Sequence, residues 1–361
     1  MTRLLIVDDS PLMRRLLSGL FAAEEGFEVE TARDGDEALE KLHSFRPDVI
    51  TLDVHMPRVD GIACLDRIMI ERPCPVVMIS ARTANGAAET IKALELGAVD
   101  FIPKPSGAVS LEMDTMAPRI VEKVRTAAAA KVKASTRLAD RVRARSRNVP
   151  GRRRAGEQPM EPALPSVRSS GLPGLVLVGT STGGPRALEY LLEPLPASFP
   201  WPILVAQHMP AYFTSALAAR LDRLCALDVV EVSTPVPVAP GKVYIARGEA
   251  DMVIRQRGDA LIATAAPADA DYLWHPSTDR LVRSALRAVP PEQLVGVLMT
   301  GMGSDGASAM AEVKARGGRT IAEAEESAVV WGMPGELVKL GGATVVVPVE
   351  RIADELVEAL R

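Results

Sequence analysis

The chain has 361 residues, 47% of them apolar and 24% charged, and a net charge of −4. That is the make-up of a globular protein with room for two or three cores, and the small acidic balance gives no basis for nucleic-acid or membrane-surface binding. Three scattered cysteines, Cys64, Cys74 and Cys225, form no CxxC pair, which argues against a disulfide framework or a cysteine zinc site and fits a reducing compartment.

The opening stretch MTRLLIVDDS is too short in apolar residues for a secretory leader, and no later window is apolar enough for a membrane span. Residues 4 to about 120 alternate short apolar runs with amphipathic segments. The runs are LLIV (4–7), FEVETA (27–32), VITLD (49–53), VVMIS (76–80) and DFIP (100–103). Between them, DEALEKLHSF (36–45) puts Ala38, Leu39, Leu42 and Phe45 on one helical face. Repeated βα units of this kind predict an α/β fold with a parallel, doubly wound sheet.

In such a sheet, ligands bind beyond the carboxyl ends of the strands. Asp8 and Asp9 follow the first run and Asp53 ends the third, so three carboxylates are expected in one pocket. Like charges so close raise one another's pKa unless a divalent cation sits among them, and hard oxygen ligands suit Mg²⁺. Ser80 ends the fourth run and Lys104 follows the fifth; a hydroxyl and an ammonium on that rim suit an anion held on an aspartate.

The motifs IVDDSPLMRRLL, DVITLDVHMPRVDG, MISA and DFIPKP resemble a response-regulator receiver domain over about residues 1–120. The resemblance implies a flavodoxin-like (βα)5 fold in which Asp53 accepts a phosphoryl group from a histidine kinase. It further implies that Asp8 and Asp9 join Asp53 in holding Mg²⁺, that Lys104 contacts the phosphoryl oxygens, and that Ser80 and Phe101 are the switch hydroxyl and switch aromatic.

From Thr126 to Gly171 the chain is rich in Arg, Ala, Ser, Pro and Gly. Its first part is expected to extend a helix and the part after Asn148 to be disordered, giving a linker over 121–171 between a domain at 1–120 and another at 172–361. The arginines are read as a solvated tether rather than a nucleic-acid arm.

Beyond Leu172 a second α/β pattern begins, with apolar runs at 175–179, 202–206, 243–246, 294–300, 319–324 and 343–348. It predicts a second doubly wound, mostly parallel sheet, and MVIRQRGDALIATA (252–265) reads as a hairpin. The first run leads into GTSTGGP (179–185). As a phosphate cradle this lacks GxGxxG spacing and a P-loop lysine; as a plain tight turn it needs no Thr-Ser-Thr core. As a strand-to-helix turn that presents a nucleophile, it fits G-x-S-x-G with Ser181 at its centre.

A serine needs a base, and the base a steadying group. His43 and His55 fall in the first domain, leaving His208 and His275. His208 follows PILVA at a strand end, and Asp305 follows LVGVLMT in a glycine-rich loop, so Ser181, His208 and Asp305 are all expected at one sheet rim. Their chain order, Ser–His–Asp, differs from the Ser–acid–His order of α/β-hydrolases, so that fold is not expected.

Together GTSTGGP, QHMP, PGKVYIA, LMTGMGSDGA and VVWGMPG resemble the CheB family, the protein-glutamate methylesterases of bacterial chemotaxis. The resemblance implies a cytoplasmic enzyme that hydrolyses glutamate methyl esters on chemoreceptors and deamidates some receptor glutamines, with neither nucleic acid nor membrane insertion involved. It carries the nucleophile onto Ser181, the base onto His208 and the orienting carboxylate onto Asp305. The backbone N–H of Met302 becomes an oxyanion donor and Thr182 a support for His208, with no cofactor needed for the ester chemistry. His275 stands where the family has an arginine. The rival reading is a regulator of another sensory pathway whose output domain binds a ligand or nucleic acid.

Overall fold

The central apolar runs of the first domain become strands buried on both faces, as expected of a sheet covered by helices on either side. The structure, a computed structural model, describes residues 1–105, 109–130 and 174–360. Its first unit runs β1 (Thr2–Val7), α1 (Pro11–Ala22), β2 (Phe27–Ala32), α2 (Gly35–Ser44), β3 (Val49–Asp53), α3 (Gly61–Glu71), β4 (Val76–Ser80), α4 (Ala84–Leu96), β5 (Asp100–Pro103) and α5 (Val109–Ala128). The strands form one parallel sheet in the order β2-β1-β3-β4-β5. Local signals start the helices: Ser10, Asp34, Asp60 and Thr83 each accept a hydrogen bond from a first-turn amide. With β1 and β3 adjacent, Asp8, Asp9 and Asp53 meet at one rim.

The second unit comprises β6 (Leu175–Thr180), α6 (Gly184–Leu192), β7 (Ile203–Gln207), α7 (Ala211–Leu224), β8 (Asp228–Val232), β9 (Val236–Pro237), β10 (Lys242–Ala246), β11 (Ala250–Arg257) and β12 (Ala260–Pro267). It continues with α8 (Thr278–Ala288), β13 (Leu294–Leu298), α9 (Ala307–Ala315), β14 (Arg319–Glu323), α10 (Met333–Lys339), β15 (Val345–Val347) and α11 (Ile352–Ala359). A parallel seven-stranded sheet has the order β15-β14-β13-β6-β7-β10-β8. The expected hairpin is β11–β12, paired antiparallel with β9 alongside. β8 escapes the sequence pattern: it lies at the sheet edge, so its burial alternates and DVVEV reads as no continuous apolar run.

β6 lies between β13 and β7, and the chain winds outward from it first on one side and then on the other. That reversal opens a crevice at the carboxyl ends of these strands. The two units also share one hydrophobic cluster. α4 packs on α7, Phe101 meets Phe213 with ring centroids 4.3 Å apart, and Glu95 pairs with Arg220. Of the expected linker, residues 121–128 continue α5, and the stretch from 131 to 173 lies outside the described residues. No helix among the described residues is long and apolar enough to cross a membrane.

Gly61 opens α3 directly beneath β3, and a Cβ there would overlap the Asp53 carbonyl oxygen. Gly61→Ala should therefore cost about 1–3 kcal/mol in urea unfolding through strain. Gly19→Ala, mid-helix and with nothing near its Cβ position, should be neutral or stabilise by up to about 1 kcal/mol. Equal midpoints for the two variants would contradict the close approach.

Candidate active site

The motif GTSTGG turns sharply at the end of β6. Gly183 adopts a left-handed φ of 80°, which a side chain would resist, and it feeds the chain into α6. Ser181 is 8% exposed, its amide donating to the Thr300 carbonyl at 3.0 Å. Its own carbonyl accepts from the Gly184 amide at 2.8 Å and from Gln207 Nε2 at 2.9 Å.

On the neighbouring strand Gln207 stands opposite Thr180, so Ser181 and His208 are the next pair beyond the sheet. Parallel strands run about 4.8 Å apart, and the His208 amide donates to the Thr180 carbonyl at 3.0 Å. The buried imidazole of His208 has its Nε2 2.8 Å from Asp305 Oδ2. Nδ1 is buried without a hydrogen-bond partner, so ring and Ser181 hydroxyl are not bonded in this conformation. The carboxylate assigns the proton to Nε2 and leaves Nδ1 with a free lone pair. Trp274 stacks on the ring at 5.0 Å between centroids, with 10° between planes.

Asp305 reaches this position from the loop after β13. It does not cap its own helix: α9 starts from Gly306 with no side-chain cap. It accepts instead from the amides of Thr278 (2.6 Å) and Asp279 (3.0 Å) at the start of α8 and from Ser277 Oγ (3.0 Å). Burial pushes the carboxyl up, but the His208 bond and these amides outweigh it and hold Asp305 below the ordinary carboxylate value. The stretch HPSTD that supplies the donors is anchored by the fully buried Asp251. That carboxylate accepts from the Ser277 amide (2.7 Å), Arg280 Nη1 (2.5 Å) and His275 Nδ1 (3.1 Å).

A Cβ on Gly301 would come 2.8 Å from Ser181 Cβ, so glycine lets the GMG loop press on the Ser181 turn. Met302, the expected oxyanion donor, is the next residue. The Thr182 hydroxyl, expected to steady His208, instead donates to Asp100 Oδ2 of the first unit at 2.5 Å, because α5 and β5 lie against this rim. Lys123 Nζ holds the other Asp100 oxygen at 2.6 Å, Thr126 Oγ1 lies 2.9 Å from Met302 Sδ, and the Arg119 guanidinium sits 5.8 Å from the Trp274 ring centre.

At the other rim the ligand oxygens of Asp8, Asp9 and Asp53 lie within 4.8 Å of one another. Burial raises both Asp8 and Asp53, Asp8 to about 6, with the Asp53 charge adding to the Asp8 shift. Asp8 Oδ2 is buried without a hydrogen bond, and Lys104 Nζ stands 2.8 Å from Asp53 Oδ2. Hard, crowded oxygens with an orphaned buried acceptor fit a small divalent cation. Ser80 Oγ donates to the Gly86 carbonyl at 3.0 Å, in the first turn of α4, and Phe101 is buried against Phe213.

Sequence reasoning missed Gln207, Trp274, Asp251 and Asp100. The first three act through tertiary contacts with no spacing signal, and Asp100 acts on another domain. Ser277 carried a weak signal, as a serine before a helix.

Residues 176–356 match the family model for the CheB methylesterase, and residues 4–114 that for the response regulator receiver domain. The chain is 56% identical to a protein-glutamate methylesterase/protein-glutamine glutaminase 2 of Rhodopseudomonas palustris (strain BisB18), over 99% of this chain and 98% of that one. It is 54% identical to a protein-glutamate methylesterase/protein-glutamine glutaminase 3 of Rhodospirillum rubrum, over 99% of this chain and 95% of that one. The crystal structure of the Thermotoga maritima CheB methylesterase catalytic domain is similar at 37% identity and a TM-score of 0.50, covering 52% of this chain and 98% of that chain.

Two substitutions test the geometry through labelling of Ser181 by a fluorophosphonate. Asp305→Asn removes the charge that sets the imidazole tautomer and should slow labelling on the order of 10³–10⁴-fold with circular dichroism unchanged. Gln207→Leu removes one amide that bonds both the Ser181 and His208 carbonyls (2.9 and 3.2 Å) and should slow it about 10- to 100-fold. Parent-like labelling of either variant would contradict the assignment.

Proposed function

The chain belongs to the CheB methylesterase family, and on that premise we propose that it is a phosphorylation-activated serine hydrolase that removes methyl esters from glutamate side chains of chemoreceptors and deamidates some receptor glutamines. Ser181 is the nucleophile, His208 the general base and Asp305 its orienting carboxylate. The observation that carries this reading is the His208 ring, on the strand end next to that of Ser181, with one nitrogen held by Asp305 and the other buried without a partner.

In the first step His208 Nδ1 takes the Ser181 proton as Oγ attacks the ester carbonyl. The buried, ionised Asp305 stabilises the imidazolium that forms. Negative charge develops on the carbonyl oxygen, and the Met302 N–H donates to it; one such donor is worth about 10²–10³ in rate. His208 then returns the proton to the departing methoxy oxygen, giving methanol, or to the departing amide nitrogen of a glutamine, giving ammonia. Water, deprotonated by the same nitrogen, hydrolyses the acyl-serine.

Asp53 is the phosphoryl acceptor, with a chemotaxis histidine kinase as donor. Asp8, Asp9 and Asp53 would hold Mg²⁺, which when bound neutralises charge on the transferring phosphoryl group. Lys104 would pair with the phosphoryl oxygens and Ser80 would turn toward them, giving up its bond to Gly86. That bond ties β4 to α4, the helix packed on α7, and Phe101 packs on the same helix through Phe213. Docking of the receiver over the cleft is supported by the Asp100–Thr182 hydrogen bond and the Thr126–Met302 contact. The cytoplasm, where kinase and receptor tails meet, is the compartment this reading requires.

Methanol release from a methylated receptor is the direct test. Ser181→Ala should abolish it, Asp53→Asn should lose stimulation by a phosphodonor, and Asp100→Ala should raise the unphosphorylated rate severalfold. Methanol release that survives Ser181→Ala would sink the nucleophile assignment, and an unchanged Asp100→Ala rate would sink the docking.

A further inference from the structure

Glu323 ends β14 as a carboxylate 1% exposed, and no cation pairs with it among the described residues. An unpaired buried carboxylate is costly, so its retention asks for a reason. One oxygen, Oε2, accepts the Thr300 amide at 2.7 Å, and the other, Oε1, accepts the Ser327 hydroxyl at 2.9 Å. Thr300 is the residue on which the nucleophile turn rests. Its carbonyl accepts the Ser181 amide and the Thr180 hydroxyl, each at 3.0 Å, and its own hydroxyl donates to the Thr182 carbonyl at 2.9 Å. One carboxylate thus sits behind a residue that hydrogen-bonds to all three members of the Thr-Ser-Thr core.

We propose that Glu323 is a positioning residue for the esterase reaction: it fixes Thr300, and through Thr300 the rotamer and height of Ser181, in both of its protonation states. The inference rests on the proposed esterase reading. Burial raises the Glu323 carboxyl to about 7, with the Glu350 charge adding to the rise and the two hydrogen bonds opposing it. Both forms are therefore populated near neutrality. Ser327 makes this tolerable, since its hydroxyl also lies 3.2 Å from the Ala324 carbonyl. When Glu323 is ionised, Ser327 donates to it. When Glu323 is neutral, the carboxyl O–H donates to Ser327 Oγ and the serine proton turns to Ala324, while Oε2 keeps the Thr300 amide throughout.

The test compares Glu323→Ala, Glu323→Gln and Ser181→Ala in the full chain, by methanol release from methylated receptor and by thermal unfolding between pH 5 and 8.5. Alanine orphans the Thr300 amide, so kcat should fall about 10- to 100-fold with KM within about twofold. Glutamine keeps an acceptor for Thr300 and a donor for Ser327, and should recover the rate to within about threefold of the parent. The folded carboxyl titrates above its ordinary 4.5, so its contribution to stability is full below 4.5 and is lost as pH rises through about 7. The Tm advantage of Glu323→Gln over the parent should therefore grow across that window. A parent-like kcat in Glu323→Ala, a Gln variant as slow as Ala, or a Tm difference flat with pH would overturn the proposal. Turnover surviving in Ser181→Ala would instead overturn the esterase reading on which it stands.

Discussion

The hydrogen bond from His208 to Asp305 is the constraint around which the second domain is organised. It joins residues 97 positions apart in sequence, across the crevice where β7, β6 and β13 end side by side. For Asp305 to stay ionised at this depth, its oxygens need donors, and the first turn of α8 supplies them. That turn needs an anchor in turn, and buried Asp251 provides one. The chain of supports ends in a salt bridge to Arg280, so a carboxylate deep in the fold is compensated at each stage. The His208–Asp305 pair is thus the visible end of a polar network built beneath an apolar sheet.

A similar economy governs the receiver. Burial raises the Asp8 and Asp53 carboxyls, the charge of a neighbouring aspartate adds to each, and Lys104 relieves part of the rise. α4 and β5, which flank the Asp53 rim, form the face packed on the second domain. Asp100 belongs to the hydrophobic run of β5, yet its carboxylate accepts from Lys123 within its own domain and from Thr182 across the interface. Under the proposed reading, a change at Asp53 would act on the same wall that borders the Ser181 turn, without a long relay.

Much of this was legible in the residues. Strands buried on both faces announce themselves as unbroken apolar runs, so both parallel sheets could be read, whereas the edge strand β8 could not, because its burial alternates. That the three receiver aspartates share one rim, and Ser181, His208 and Asp305 another, could be read because each of these residues follows or ends an apolar run, at a strand carboxyl end.

What the sequence alone determined is therefore the alternation of elements and the rim on which each functional residue falls, since both are properties of short contiguous stretches. Tertiary structure alone decided which ring nitrogen of His208 faces the carboxylate, that Thr182 bonds to Asp100, and that Gln207, Trp274, Asp251 and Glu323 stand behind the site. Those choices depend on which strands become neighbours and which faces pack together. Such contacts join residues tens to hundreds of positions apart, and no local pattern along the chain encodes them.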